Sequence, residues 1–100
     1  MYIYNVTVKV ENRRVDEWIE WMKSKHIPDV LATGYFLESR ICRLLDDIDP
    51  DGETFTIQYT CNSREDYLQY KLTNAPHLQK EVKDKFADDF IAFRTFMEIL

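Results

Sequence analysis

The stretch Tyr2-Ile3-Tyr4-Asn5-Val6-Thr7-Val8-Lys9-Val10 decides the fold. Its side chains alternate strictly, with Tyr2, Tyr4, Val6, Val8 and Val10 on one side and Ile3, Asn5, Thr7 and Lys9 on the other. Period-two alternation in β-branched and aromatic residues predicts a strand with one buried face. Polar residues interrupt the apolar run and no basic segment precedes it, so the stretch does not read as a secretion signal.

The residues that follow supply a cover for that face. Asn12 is placed to cap a helix whose first turn carries Asp16 and Glu17, where the helix dipole favours negative charge. Val15, Trp18, Ile19, Met22 and His26 then form one apolar stripe. Pro28 predicts an end or kink near His26, with one further turn over 28–33 closed by Gly34 as a left-handed cap. An extended run over 35–45, the turn formers Asp46-Asp47-Ile48-Asp49-Pro50-Asp51-Gly52 and a strand over 54–61 predict a hairpin. Asn62 and Ser63 with Glu65 and Asp66 start a second helix. Pro76 breaks it, Asn74 is placed to restart it, and Ala75, Leu78, Val82 and Phe86 continue its stripe. Residues 89–99 form the last strand. The order β-α-β-β-α-β is the split pattern of the ferredoxin-like sandwich, an α+β fold with a four-stranded antiparallel sheet and two helices on one face.

Length and composition agree with one such domain over residues 1–100. Hydrophobic residues make up 45% of the 100 residues, enough for a single core. A formal net charge of −5 without a basic run removes the electrostatic footprint of a nucleic-acid binder. No apolar stretch approaches the ~20 residues that span a bilayer, so no membrane partner is expected. Cys42 and Cys61 are too far apart for a C-x-x-C pair, the two histidines make no H-E-x-x-H, and Asp46–Glu53 lacks the spacing of a calcium loop. A reduced, cytoplasmic protein with no metal and no cofactor is the expectation.

Two helices cover only one face of the sheet. Aligning apolar partners sends Tyr4, Val6, Val8, Leu37, Ile41, Leu45, Ile57, Tyr59, Phe93 and Met97 toward the helices. The other face then carries Ile3, Asn5, Thr7, Lys9, Phe36, Glu38, Arg40, Cys42, Leu44, Thr56, Gln58, Thr60, Phe90, Arg94 and Phe96. That set is too apolar to stay solvated and too polar for a monomer core. It predicts a homodimer, sheet against sheet, as a dimeric α+β barrel with Asn5, Arg40, Gln58, Arg94 and Phe96 in the interface. Cys42 and Cys61 fall on opposite faces, which forbids a disulfide.

Four residues are candidates for a ligand site between the helices and the sheet. His26 ends the first helix with a pKa near working pH, so it suits acid–base work or, more simply, capping. Trp21 borders the stripe, where an aromatic lines a planar-ligand pocket or covers the helix–sheet seam. Arg43 alternates with Ile41 on the covered face and needs an acidic partner, an anion, or a bulge that turns it outward. Tyr59 places a hydroxyl beneath the helices, for a ligand or for the core.

The opening Met1-Tyr2-Ile3-Tyr4-Asn5-Val6-Thr7-Val8 resembles that of a family of short bacterial proteins of unknown function. Trp18, Trp21-Met22, His26-Ile27-Pro28-Asp29-Val30-Leu31-Ala32-Thr33-Gly34, Gln58-Tyr59, Ala75-Pro76 and Ala92-Phe93-Arg94-Thr95 carry the same resemblance. That family is similar to the dimeric α+β barrel superfamily, which includes antibiotic-biosynthesis monooxygenases. The resemblance implies the fold and a dimer and transfers no catalytic residue. Two functions are therefore expected: small-molecule binding or regulation, or a cofactor-independent monooxygenase- or isomerase-like enzyme on a small aromatic substrate. Catalysis requires a pocket of roughly 300 Å3 lined by His26.

Overall fold

The alternating N-terminal stretch forms β1 (Tyr2–Glu11), and everything else is arranged around it in this computed structural model, which describes residues 1–46 and 49–100. The first crossover runs through a short 3-10 turn into α1 (Val15–Trp21), a π turn (Met22–His26) and α2 (Ile27–Ala32). The hairpin is β2 (Glu38–Arg43) and β3 (Gly52–Cys61). The second crossover is α3 (Arg64–Thr73) and α4 (Ala75–Phe86), and β4 (Phe90–Glu98) completes a sheet in the order β2-β3-β1-β4. Every neighbouring pair is antiparallel, and β1 is central. This is the expected ferredoxin-like fold. No helix among the described residues is long and apolar enough to cross a membrane. The expected turn includes Asp47 and Ile48, which lie outside the described residues.

The π turn has a specific cause and a specific effect. Pro28 has no N–H to donate, and its ring would meet the carbonyl of Ser24 in an α-helix, so the preceding turn widens. The Ile27 N–H reaches back to the Met22 carbonyl, five residues away. Trp18, Met22, His26 and Val30 are spaced by four residues. On a regular helix each step of four drifts by ~40°, so the set would wind off the sheet. The wider turn cancels part of that drift, and all four side chains face the sheet side by side.

The core lies between the helices and the sheet and is dense in aromatic rings. Tyr4 is its hub, with ring centroids of Phe36 and Tyr59 at 5.8 Å and of Tyr67 at 5.2 Å. Trp18, fully buried, tilts against Phe55 at 4.8 Å.

Several local expectations are corrected. Asn12 does not cap a helix: its Nδ2 donates to the Pro50 carbonyl at 2.7 Å, tying the first crossover to the hairpin end. Asn74 stands between α3 and α4 in helical dihedrals and makes no side-chain cap, whereas Ser63 accepts from the Asp66 amide at 3.1 Å as expected. Phe36 is core, and Leu37 and Leu45 are exposed, because β2 starts only at Glu38 and the approach to it does not keep a two-residue period.

The largest correction concerns β4. Tyr4 pairs with Phe96, Val6 with Arg94 and Val10 with Phe90, so Phe90, Arg94 and Phe96 face the helices rather than the open side. Phe93 and Met97, expected inside, lie on the open face with Ile91 and Thr95. The register is set where the chain enters the strand. Ala87 adopts φ 52°, the Glu11 amide donates to the Asp89 carbonyl at 3.0 Å, and the Asp89 carboxylate binds Arg13 and Arg14 at 2.6 Å each.

Candidate functional site

A cleft of about 40 Å3 lies between the helix-facing side of β1, β3 and β4 and the two helical crossovers. Its apolar walls come from Val6 and Val8, Met22 and Val30, and Val82 and Ala92. Trp18, Tyr59, Tyr4 and Tyr70 also line it, together with Ile57, Phe90, His26, Gln79 and Arg94. Room of this size holds about three solvent-sized molecules.

Two of these side chains are buried without a hydrogen-bond partner in the protein. Trp18 is 0% exposed and its indole Nε1–H has no acceptor; Tyr59 is 2% exposed and its hydroxyl has no partner. A buried polar group left unpaired costs roughly 1–3 kcal/mol, so native proteins seldom keep two beside one cleft without use. The Tyr4 hydroxyl is served differently, because the Arg94 guanidinium and the Gln79 amide approach it as donors. Burial raises the pKa of Tyr4, Tyr59 and Tyr70, with Arg94 pulling Tyr4 and Tyr70 partly back, so all three stay protonated.

His26 lines the cleft at the end of the π turn. Burial is the main cause that lowers its pKa to about 4, and Arg94 and Lys25 push the same way against Glu81 and Asp29. At neutral pH the imidazole is therefore uncharged. A base of that strength is poorly matched to proton abstraction near pH 7. Trp21 does not line the cleft. It stacks on His26 at 5.6 Å and meets the edge of Phe86 at 5.6 Å, so it covers one side of the half-buried imidazole.

Of the four expected ligand residues, the structure brings His26 and Tyr59 to the cleft and sets Trp21 one layer behind. Arg43 is elsewhere. It is exposed at the far end of β2, paired with Glu53 at 3.2 Å, with its guanidinium 5.3 Å from the Phe55 ring centroid. No bulge turns it out: β2 is the edge strand of the sheet, and Arg43 lies at its end beside Ile19 and Lys23 of the first crossover. Arg94, Tyr70 and Gln79 were missed as cleft residues. The signal for Arg94 was its two-residue spacing from Ala92 and Phe96, which share its face.

The opposite face of the sheet is graded. Toward β2 it is polar, with Arg40, Glu38 and Gln58. Along β4 it is apolar: Ile91 is 72% exposed and Phe93 60%. At its centre Asn5 is buried. Its Nδ2 donates to Thr7 Oγ1 at 3.1 Å and Thr95 Oγ1 at 3.3 Å, and its Oδ1 has no partner in the chain. Arg94 and Phe96, expected in an interface here, belong to the helix-facing side, where Phe96 stacks on Tyr67 at 4.1 Å. Cys42 is exposed on the open face, Cys61 is buried on the other, and both are free. Among the described residues no group of three or more His, Cys, Asp or Glu is placed to hold a metal ion.

Solved structures share this fold at low identity. A dimeric ferredoxin-like protein from an uncultured marine organism superposes with a TM-score of 0.76 at 8% identity, covering 99% of this chain and 95% of that one. A protein of the ethyl tert-butyl ether D family from Bacillus halodurans gives 0.70 at 13% identity over the whole of both chains. A monooxygenase from Streptomyces coelicolor, in complex with Nanaomycin D, gives 0.63 at 13% identity, covering 99% of this chain and 87% of that one. No curated protein matches the sequence. Over residues 1–100 the chain belongs to the DUF4286 family, a domain of unknown function.

Proposed function

We propose that this protein is a homodimeric α+β barrel whose role is to bind a small molecule in the cleft between its helices and its sheet. The observation that carries the reading is the pair of buried, unpartnered groups beside that cleft, Trp18 Nε1–H and the Tyr59 hydroxyl. Pockets for small ligands combine apolar walls with a few convergent polar groups, and this one does so. The volume supports binding over turnover of an aromatic substrate, because about 40 Å3 is well short of the roughly 300 Å3 such an enzyme needs. The low basicity of His26 supports the same choice. A reducing, cytoplasmic setting fits the two free cysteines.

The open face supports the dimer. Ile91 and Phe93 form an exposed apolar strip, and the buried Asn5 Oδ1 beside it lacks a donor that a facing sheet can supply. Asn5, Arg40 and Gln58 stay in the proposed interface, joined by Ile91, Phe93 and Met97.

A thermal-shift screen of small acidic, carbonyl and aromatic compounds tests the binding reading. A ligand at a hundredfold excess over its Kd stabilises the native state by about 2.7 kcal/mol. The same compounds should leave an Ala92→Leu variant unmoved, since the added side chain fills the cleft. Equal shifts in both proteins, or none in either, would overturn the reading.

A further inference from the structure

We propose that the cleft selects a small carboxylate, of about four or five non-hydrogen atoms, bound through its oxygens; this rests on the cleft being a binding site. Hydrogen-bond supply points to such a ligand. Trp18 Nε1–H is a donor only, and the Arg94 guanidinium has five N–H donors and no acceptor atom, with one donor directed to Tyr4. The Tyr59 hydroxyl is unspent, and burial keeps it protonated, so it too has a proton to give. No Asp or Glu lines the cleft. The acceptors on the lining are neutral ones, the Gln79 amide oxygen, the unprotonated nitrogen of His26 and the tyrosine oxygens, and no carboxylate answers Arg94, so the cavity is matched by a ligand that brings anionic acceptor oxygens.

Charge narrows the choice from any acceptor to an anion. Arg94 is the cation on the cleft lining, and its field reaches Tyr4, Tyr70 and His26. It has no carboxylate partner among the ion pairs of the described residues, as Arg40 and Arg64 have none, while Arg13 and Arg14 hold two each and Arg43 one. Neutral His26 adds no competing charge. Size narrows the choice further: about 40 Å3 accepts the carboxylate and one or two carbons, and a longer chain has to leave past the exposed Arg94. Carboxylate and guanidinium planes match in a two-bond fork, which supplies orientation as well as charge.

The test reads the two indole N–H signals of 15N-tryptophan-labelled protein, assigned with a Trp21→Phe variant. Sodium acetate and sodium propionate are titrated at fixed pH 7 and ionic strength, against acetamide and sodium chloride. The Trp18 signal should move saturably with acetate and propionate, with a Kd on the order of 1 mM as befits so few atoms. Acetamide should bind at least tenfold more weakly, and chloride should give no saturable shift. Arg94→Gln should weaken acetate at least tenfold and leave acetamide unchanged, and Arg94→Lys should recover part of the loss. Acetamide binding as well as acetate, or acetate unaffected by Arg94→Gln, would overturn the carboxylate assignment and leave the binding site standing. A Trp18 signal that no probe moves would overturn the carboxylate assignment; a thermal-shift hit abolished by Ala92→Leu would still sustain the site.

Discussion

Replacing His26 by Gln should remove a pH dependence that the wild-type protein owes to this one half-buried imidazole. The unfolded chain binds the proton with a pKa near 6.5, and burial beneath Trp21 and beside the cleft lowers the folded value to about 4. The unfolded state therefore holds more protons between those two values, and stability must fall as pH drops through that window. The contribution is fully present above about pH 6.5 and gone below about pH 4. Over the interval from pH 7 to pH 5, linkage gives a loss of roughly 2 kcal/mol, approaching about 3 kcal/mol at pH 4. Most carboxylates remain ionised down to pH 5, which makes the upper half of the window the cleaner one. The assay is urea unfolding followed by circular dichroism at pH 7, 6 and 5 and fixed protein concentration, for wild type and His26→Gln. The difference between the two proteins should shrink by about 2 kcal/mol across the series, with unchanged m-values. Parallel pH profiles, or an imidazole titration midpoint near 6.5 by NMR, would refute the half-buried, neutral assignment.

Further outcomes follow from other positions. Phe93→Arg puts a charge into the exposed β4 strip and should convert a species of about 24 kDa, twice the 12.0 kDa chain, into a folded monomer by sedimentation. Gly52→Ala should destabilise by about 2 kcal/mol in urea unfolding, because its new Cβ would lie 2.6 Å from the Val10 carbonyl oxygen, a main-chain atom with little freedom to retreat. Ala87→Gly should raise stability by about 1 kcal/mol, since a side chain at φ 52° is strained and glycine is not.

Much of the fold was legible because β1 and β3 alternate cleanly and because Pro28, Gly34, Ser63 and Pro76 mark their breaks chemically. The face of β4 was not legible. Both of its sides are apolar, Phe90, Ala92 and Phe96 on one and Ile91, Phe93 and Met97 on the other, so period two cannot say which is buried. The choice is made at Ala87 and Asp89, through a positive φ and an ion pair 75 residues away in sequence. That one-residue ambiguity misplaced Arg94, and with it the charged member of the cleft. His26 was readable from the apolar stripe, but its alignment with Trp18 and Val30 depends on a π turn that a 3.6-residue repeat does not anticipate. Arg43 looked buried because alternation reports the face of a strand and not its place in the sheet, and β2 is an edge strand with one flank open to solvent.

Mapping backbone and side-chain NMR shifts as the strongest stabilising compound is added shows whether the cleft is where this protein meets its ligand. The saturating changes should gather on Tyr4, Trp18, His26, Gln79 and Arg94. Changes confined to Ile91, Phe93 and the open sheet face, with those five unmoved, would contradict it.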